Sequence, residues 1–144
     1  MFSNWFPKKT HNNIGFEDVL YAIKHNDTYI LLNTISSDAQ DCLIKNTLSI
    51  DMEEPTINQL INQSLQQTKR VIIYGKNGTD DSVNKKYQQM IDLGFSEIYI
   101  YTGGMFEWML LQDIYGSDEI PTTRQVLDIL KYRPKGHLHI PRIS

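Results

Sequence analysis

Short apolar runs and longer amphipathic stretches alternate along this 144-residue chain. In GFEDVLYAIKHND, Phe16, Val19, Leu20 and Ile23 recur at i, i+3, i+4 and i+7, one face of a helix. YILLNT, residues 29–34, is an unbroken run of strand formers and predicts a buried strand. SSDAQD reads as a turn. CLIKNTLSI, residues 42–50, predicts a second short strand around Leu48 to Ile50. EEPTINQLINQSLQQT then places Glu53, Glu54 and Pro55 at a helix start, with Ile57, Leu60, Ile61 and Leu65 as its buried face.

VIIY, residues 71–74, predicts the third strand. It stops at a glycine-containing loop, Gly75 to Ser82, that opens into a helix with Val83, Tyr87, Met90 and Ile91 on one face. Gly94 stands where a helix C-terminal cap belongs. EIYIY, residues 97–101, is the fourth strand, and a Gly-Gly turn leads into another helix. PTTRQVLDILKY predicts a last helix capped by Thr122 or Thr123. Residues 1–13 read as an N-terminal arm around Trp5 and Phe6, residues 14–132 as one domain, and residues 133–144 as an extended basic tail. Strands alternating with helices predict an α/β fold, a parallel sheet covered by helices on both faces. Ligands of such sheets sit beyond the carboxyl ends of the strands. The Gly75–Ser82 loop lies at one of those ends.

Composition narrows the partners. The hydrophobic fraction of 40% and charged fraction of 22% suit a globular domain. A formal net charge of -3 gives no reason to expect nucleic acid. No apolar run approaches the ~20 residues of a bilayer span, so no membrane insertion is expected. Cys42 is the single cysteine, so no internal disulfide can form, and an intracellular, cytoplasmic setting is the natural reading. Asn, Gln, Ile and Lys are frequent, as in AT-rich genomes; were the source a large DNA virus, a virion-associated role would be open, though the residues themselves do not show one.

The strand ending in Tyr74, the glycine-containing loop, the helix, then LGFSEIYIY and TGGMFEW together resemble the rhodanese-like domain family. The resemblance covers roughly residues 14–116, and the run from Leu93 to Trp108 is its most specific part. It implies a single domain with a sheet of about five parallel strands. It also implies that a cysteine directly after the VIIY strand should carry a persulfide, stabilised by the loop amides and the next helix N-terminus. At that position stands Gly75. The family's loop arginine falls on Thr79 or Asp80, and Ser82 corresponds to a serine that commonly follows. Asn33 stands where an aspartate is usual, and Ile35 where an arginine is missing.

Glycine has no sulfur to transfer, and the hydroxyls of Thr79 and Ser82 do not hold a persulfide. Asp80 and Asp81 are expected to repel anions at the loop mouth. A phosphatase use of the loop would need the same cysteine and arginine. The loop formed by Gly75, Lys76, Asn77, Gly78, Thr79, Asp80, Asp81 and Ser82 therefore reads as degenerate. The expectation is a catalytically inactive module used for binding or assembly, with a protein partner or a second copy of itself, and without cofactor or metal. The alternative is a divergent sulfurtransferase that carries its persulfide on Cys42 or works with a partner's cysteine. Cys42 also reads as a small packed hydrophobe. Asp80 and Asp81 read as first-turn acids rather than cation ligands. His137 and His139 alternate in the tail and read as solvated. Trp108 reads as core, while Trp5 and Phe6 read equally as a cap on the fold or as anchors for a partner.

Overall fold

The computed structural model describes residues 12–136. Trp5, Phe6, His137 and His139 lie outside the described residues, as do most of the expected arm and tail. Four strands form the sheet: β1 (Asn13–Ile14), β2 (Tyr29–Asn33), β3 (Arg70–Tyr74) and β4 (Glu97–Tyr101). All pairings are parallel, in the order β1-β4-β3-β2. Four helices accompany them: α1 (Phe16–Ile23), α2 (Ile50–Asn62), α3 (Ser82–Asp92) and α4 (Gly104–Tyr115).

The period-two alternation of the strands sorts the core into two halves. Leu31, Ile72, Tyr74 and Tyr101 face α1 and α4, where they meet Val19, Ala22, Met105 and Trp108. Ile30, Leu32, Val71, Ile73 and Ile98 face α2 and α3, where they meet Ile57, Leu60, Val83 and Met90. Because both faces are covered, the strands read as near-continuous apolar runs. Trp108 is fully buried, donates its indole N–H to the Pro121 carbonyl at 3.0 Å, and packs edge-on against Tyr101.

Gly94 ends α3 as expected. Its φ of 99° is the left-handed cap, with Gly94 N–H on the Ile91 carbonyl at 3.0 Å and Phe95 N–H on the Met90 carbonyl at 3.2 Å.

Among the described residues the parallel sheet has four strands, with Asn13 in β1. Several sequence expectations are corrected. Residues 48–50 form no strand. Thr47 makes a single parallel bridge to Leu31, and Leu48 N–H reaches the Leu31 carbonyl at 3.0 Å. Ser49 then offers its carbonyl to the Met52 and Glu53 amides, so α2 begins at Ile50 and Pro55 sits inside it. Pro55 is exposed there, and its missing N–H leaves one i→i−4 bond of the helix, to the Asp51 carbonyl, unmade. Ile91 is 41% exposed rather than buried. The expected last helix is absent. Thr122 bridges Ile44 in antiparallel fashion, Thr123 exchanges bonds with Leu43, and Lys45 N–H reaches the Pro121 carbonyl at 3.2 Å. Those long-range bonds hold the segment extended, and only Ile129–Tyr132 turns as a 3-10 helix.

Candidate functional site

β3 runs through the middle of the sheet, and its carboxyl end delivers the chain into the Gly75–Ser82 loop. The loop is seated from both sides. Thr34, just past β2, donates its amide to the Tyr74 carbonyl at 3.0 Å. On the other side the first turn of α4 donates Met105 N–H to the Gly75 carbonyl at 2.9 Å and Phe106 N–H to the Lys76 carbonyl at 2.7 Å. This seat explains the second glycine of the Gly-Gly turn. Gly104 has φ +67°, and a Cβ there would stand 2.8 Å from both the Asn77 amide nitrogen and the Gly75 carbonyl oxygen. Only a residue without a side chain lets α4 approach the loop so closely.

Inside the loop the polar groups converge on Asp80. Its Oδ2 accepts the Lys76 amide at 3.0 Å. Its Oδ1 accepts the Ser82 amide at 3.1 Å and the Ser82 hydroxyl at 2.5 Å. The Ser82 oxygen lies 2.7 Å from the Thr34 hydroxyl. Ser82 has spent its one proton on Asp80, so Thr34 donates to Ser82. Burial raises the Asp80 carboxyl, but the hydrogen bonds from the Ser82 hydroxyl and from the Lys76 and Ser82 amides outweigh it, so the pKa lies below the ordinary carboxylate value. A Cβ on Gly75 would stand 2.5 Å from Asp80 Oδ2 and 3.0 Å from the Thr34 hydroxyl oxygen. The carboxylate thus lies where a side chain at position 75 would project. Of the two acids expected at the mouth, Asp81 is the exposed one and Asp80 turns inward.

Above the loop lies an open groove of about 720 Å³. Lys76, Thr79 and Asp81 line one wall, and Lys131, Arg133 and Lys135 the other. The C-terminal segment is tied there by Asn77, whose Nδ2 donates to the Tyr132 carbonyl at 2.8 Å while its Oδ1 accepts the Thr79 amide and hydroxyl. The mouth is more balanced in charge than the sequence suggested. Lys131 pairs with Asp41 at 3.5 Å, and Lys76 lies close enough to Asp38 to help hold that carboxyl below its usual value, behind the hydrogen bond from Ser36. The cations of the tail's first residues were invisible as neighbours of this loop, because nothing local in the sequence ties residue 77 to residue 132.

Cys42 lies elsewhere, fully buried in the half of the core under α1 and α4. Its thiol donates to the Arg124 carbonyl at 3.1 Å, and burial pushes its pKa up. Its neighbourhood is also closed by Tyr74, whose hydroxyl accepts the Ile44 amide at 3.1 Å and bonds the Thr47 hydroxyl at 2.7 Å. The structure does not bring Cys42 into the loop. Asn33 is buried, and its Oδ1 accepts the Ile35 amide at 2.9 Å and the Gln40 side-chain amide at 2.8 Å. It therefore braces the turn after β2 and leaves the loop to Thr34. Thr34 is the site residue that sequence reasoning missed, and its position immediately after an apolar strand was the signal available. Among the described residues no group of three His, Cys, Asp or Glu side chains is placed to hold a metal ion. None of their helices is long and apolar enough to cross a membrane.

A parallel sheet with helices on both faces, and an amide-lined loop at the end of a central strand, define the class. The rhodanese-like domain profile matches residues 16–111, and the chain belongs to that family. Solved structures agree in fold. A Bacillus halodurans protein shares 22% identity over 73% of this chain and 76% of its own, with a TM-score of 0.58. A rhodanese-like domain from Anabaena shares 13% identity over 92% of both chains, with a TM-score of 0.56. A yeast protein tyrosine phosphatase of the rhodanese family shares 14% identity over 78% of this chain and 92% of its own, with a TM-score of 0.53. No protein of curated function matches the chain.

Proposed function

We propose that this is a catalytically inactive rhodanese-like module that serves in protein binding or assembly, inside the cell or, for a viral source, in the virion. The observation that carries the reading is Gly75 at the position of the family's nucleophile, in a chain whose one thiol is buried away from the loop. Sulfur transfer needs an accessible thiolate that can hold a second sulfur and release it. Cys42 offers a protonated thiol bonded to a backbone carbonyl. Phosphate-ester cleavage through this loop, the activity named for the yeast neighbour, would need the same missing nucleophile. The binding half of the reading draws on apolar side chains left uncovered: Leu127 at 98% exposure, Ile114 at 69% and Leu130 at 58%.

The test is the intact mass of the purified protein after incubation with thiosulfate, before and after mild reduction. An unchanged mass is expected under conditions that load an authentic rhodanese. A reducible gain of one sulfur would place a persulfide on Cys42 and overturn the reading in favour of a divergent sulfurtransferase.

A further inference from the structure

Cys42 lies one residue beneath the surface: Asp41 before it is exposed, while the Cys42 side chain is sealed. One continuous stretch of chain stands around its sulfur. Thr122 and Lys131 lie beside it, the Arg124 carbonyl accepts its hydrogen bond at 3.1 Å, and Tyr132 turns its hydroxyl toward it. That cover is thinly fastened. Among residues 124–132 only Tyr132 is fully buried. Asn77 holds the Tyr132 carbonyl at 2.8 Å, and Lys131 reaches Asp41 at 3.5 Å in a partly exposed pair of the kind that contributes little in water. The anchor is itself imperfect. Tyr132 is 1% exposed, and its hydroxyl finds no hydrogen-bond partner among the described residues. A buried hydroxyl without a partner forfeits the bonds water would give it, so closing carries a cost that opening relieves. Fastening is denser at Thr123, whose N–H meets the Leu43 carbonyl at 2.8 Å and whose hydroxyl accepts the Leu43 N–H at 3.0 Å. The hinge therefore falls there.

We propose that Cys42 is a gated site of thiol–disulfide exchange with small disulfides, uncovered when residues 124–132 swing away at Thr123, and that the mixed disulfide then keeps them away. Closed, the thiol is neutral and out of reach. Open, it gives its proton to water. The thiolate attacks one sulfur of the disulfide and bonds to it. The old sulfur–sulfur bond breaks, and the other half leaves as a thiolate that takes up a proton. The closed site has no room for the added group, because the Cys42 side chain is fully buried with the Arg124 carbonyl against its sulfur. The displaced segment takes Lys131 with it, and so removes part of one wall of the groove above the loop. A thiol reductant restores the closed form. The inference goes beyond the proposed function and involves no transfer of sulfur to an acceptor, so the two fail separately.

The experiment follows the intact mass of the full chain in excess bis(2-hydroxyethyl) disulfide. One reducible adduct is expected, formed at a rate that hardly changes with urea well below the unfolding midpoint, because only a short segment opens. No adduct, or a rate that climbs with urea as steeply as global unfolding does, overturns the proposal. Asn77→Asp keeps the oxygen that accepts from Thr79 but removes the donor to Tyr132, and about fivefold faster modification is expected. An unchanged rate overturns the gate. Should Asn77→Asp fail to fold, Tyr132→Phe takes its place. It removes the unpartnered hydroxyl, and about threefold slower modification is expected, an equal or faster rate overturning the gate. In the modified protein the Asn77 side-chain amide is expected to shift in NMR and to exchange faster with water. Asn77 signals identical to those of the unmodified chain would show that the segment closes over the adduct, and would overturn the proposal.

Discussion

The loop after β3 and the pocket around Cys42 divide between them what the family's chemistry needs in one place. The loop keeps inward-pointing amides at a strand's carboxyl end but has no cysteine. The pocket keeps a sulfur, but its thiol donates to a backbone carbonyl and has no access to solvent. What sets them apart is how each treats charge. The loop surrounds the Asp80 carboxylate with three donors and holds it ionised. The pocket holds its thiol neutral by burial. A nucleophile is made by its surroundings, so the presence of a cysteine in a chain of this fold says little without the donors around it.

Three substitutions test that contrast, in order of expected effect. Moving an acid into the pocket is the harshest. Cys42→Asp puts a carboxyl into a fully buried site, and a loss of about 3–5 kcal/mol is expected in chemical denaturation. A variant as stable as the parent would show that the pocket is wetter and more polar than its burial indicates. Gly104→Ala comes second. It forces a side chain into the left-handed region and against the backbone of Gly75 and Asn77, for an expected cost of about 1–3 kcal/mol. The same measurement, with loss of protection at the Met105 and Phe106 amides in hydrogen exchange, would tie that cost to the loop's seat. Unchanged exchange would detach it.

Asp80→Ala is the mildest and carries a pH signature. Removing the carboxylate strands the Lys76 and Ser82 amides, at an expected cost of about 1–2 kcal/mol near neutrality. The folded-state pKa of Asp80 is depressed, so its stabilisation is complete above the unfolded value of about 3.9 and is lost as pH falls through the lower folded value. The stability gap between wild type and Asp80→Ala should therefore be constant from pH 7 down to about pH 5 and shrink below pH 4. A gap that widens in acid would show that the protonated form is the one the loop holds.

Much of the fold was legible before any coordinates. Phe16, Val19, Leu20 and Ile23 pack as their spacing requires, and so do Ile57, Leu60, Val83 and Met90. The three main strands stand where the apolar runs put them, and Gly94 caps α3. These features follow from periodicity, which records the buried face of an element and needs no knowledge of its neighbour. The segment after Pro121 misled because its apolar residues fit a helix equally well. Val126, Ile129 and Tyr132 do face the core, but after an extended stretch tied at Thr122 and Thr123 to Ile44 and Leu43, with Ile129 and Tyr132 in a short 3-10 turn.

The sequence by itself determined the layered α/β domain, the absence of a cysteine at residue 75 and the presence of a single thiol. Tertiary structure alone decided that Asp80 turns inward while Asp81 faces water, that Asn77 holds the C-terminal segment against the loop, and that Cys42 is sealed under Arg124. The physical reason is range. Whether a residue is apolar is written at its own position, but the direction of a polar side chain is set by donors that only folding brings near, here Lys76 from one side of the loop and Ser82 from the other. A loop of eight polar and glycine residues has no period from which that convergence could be read.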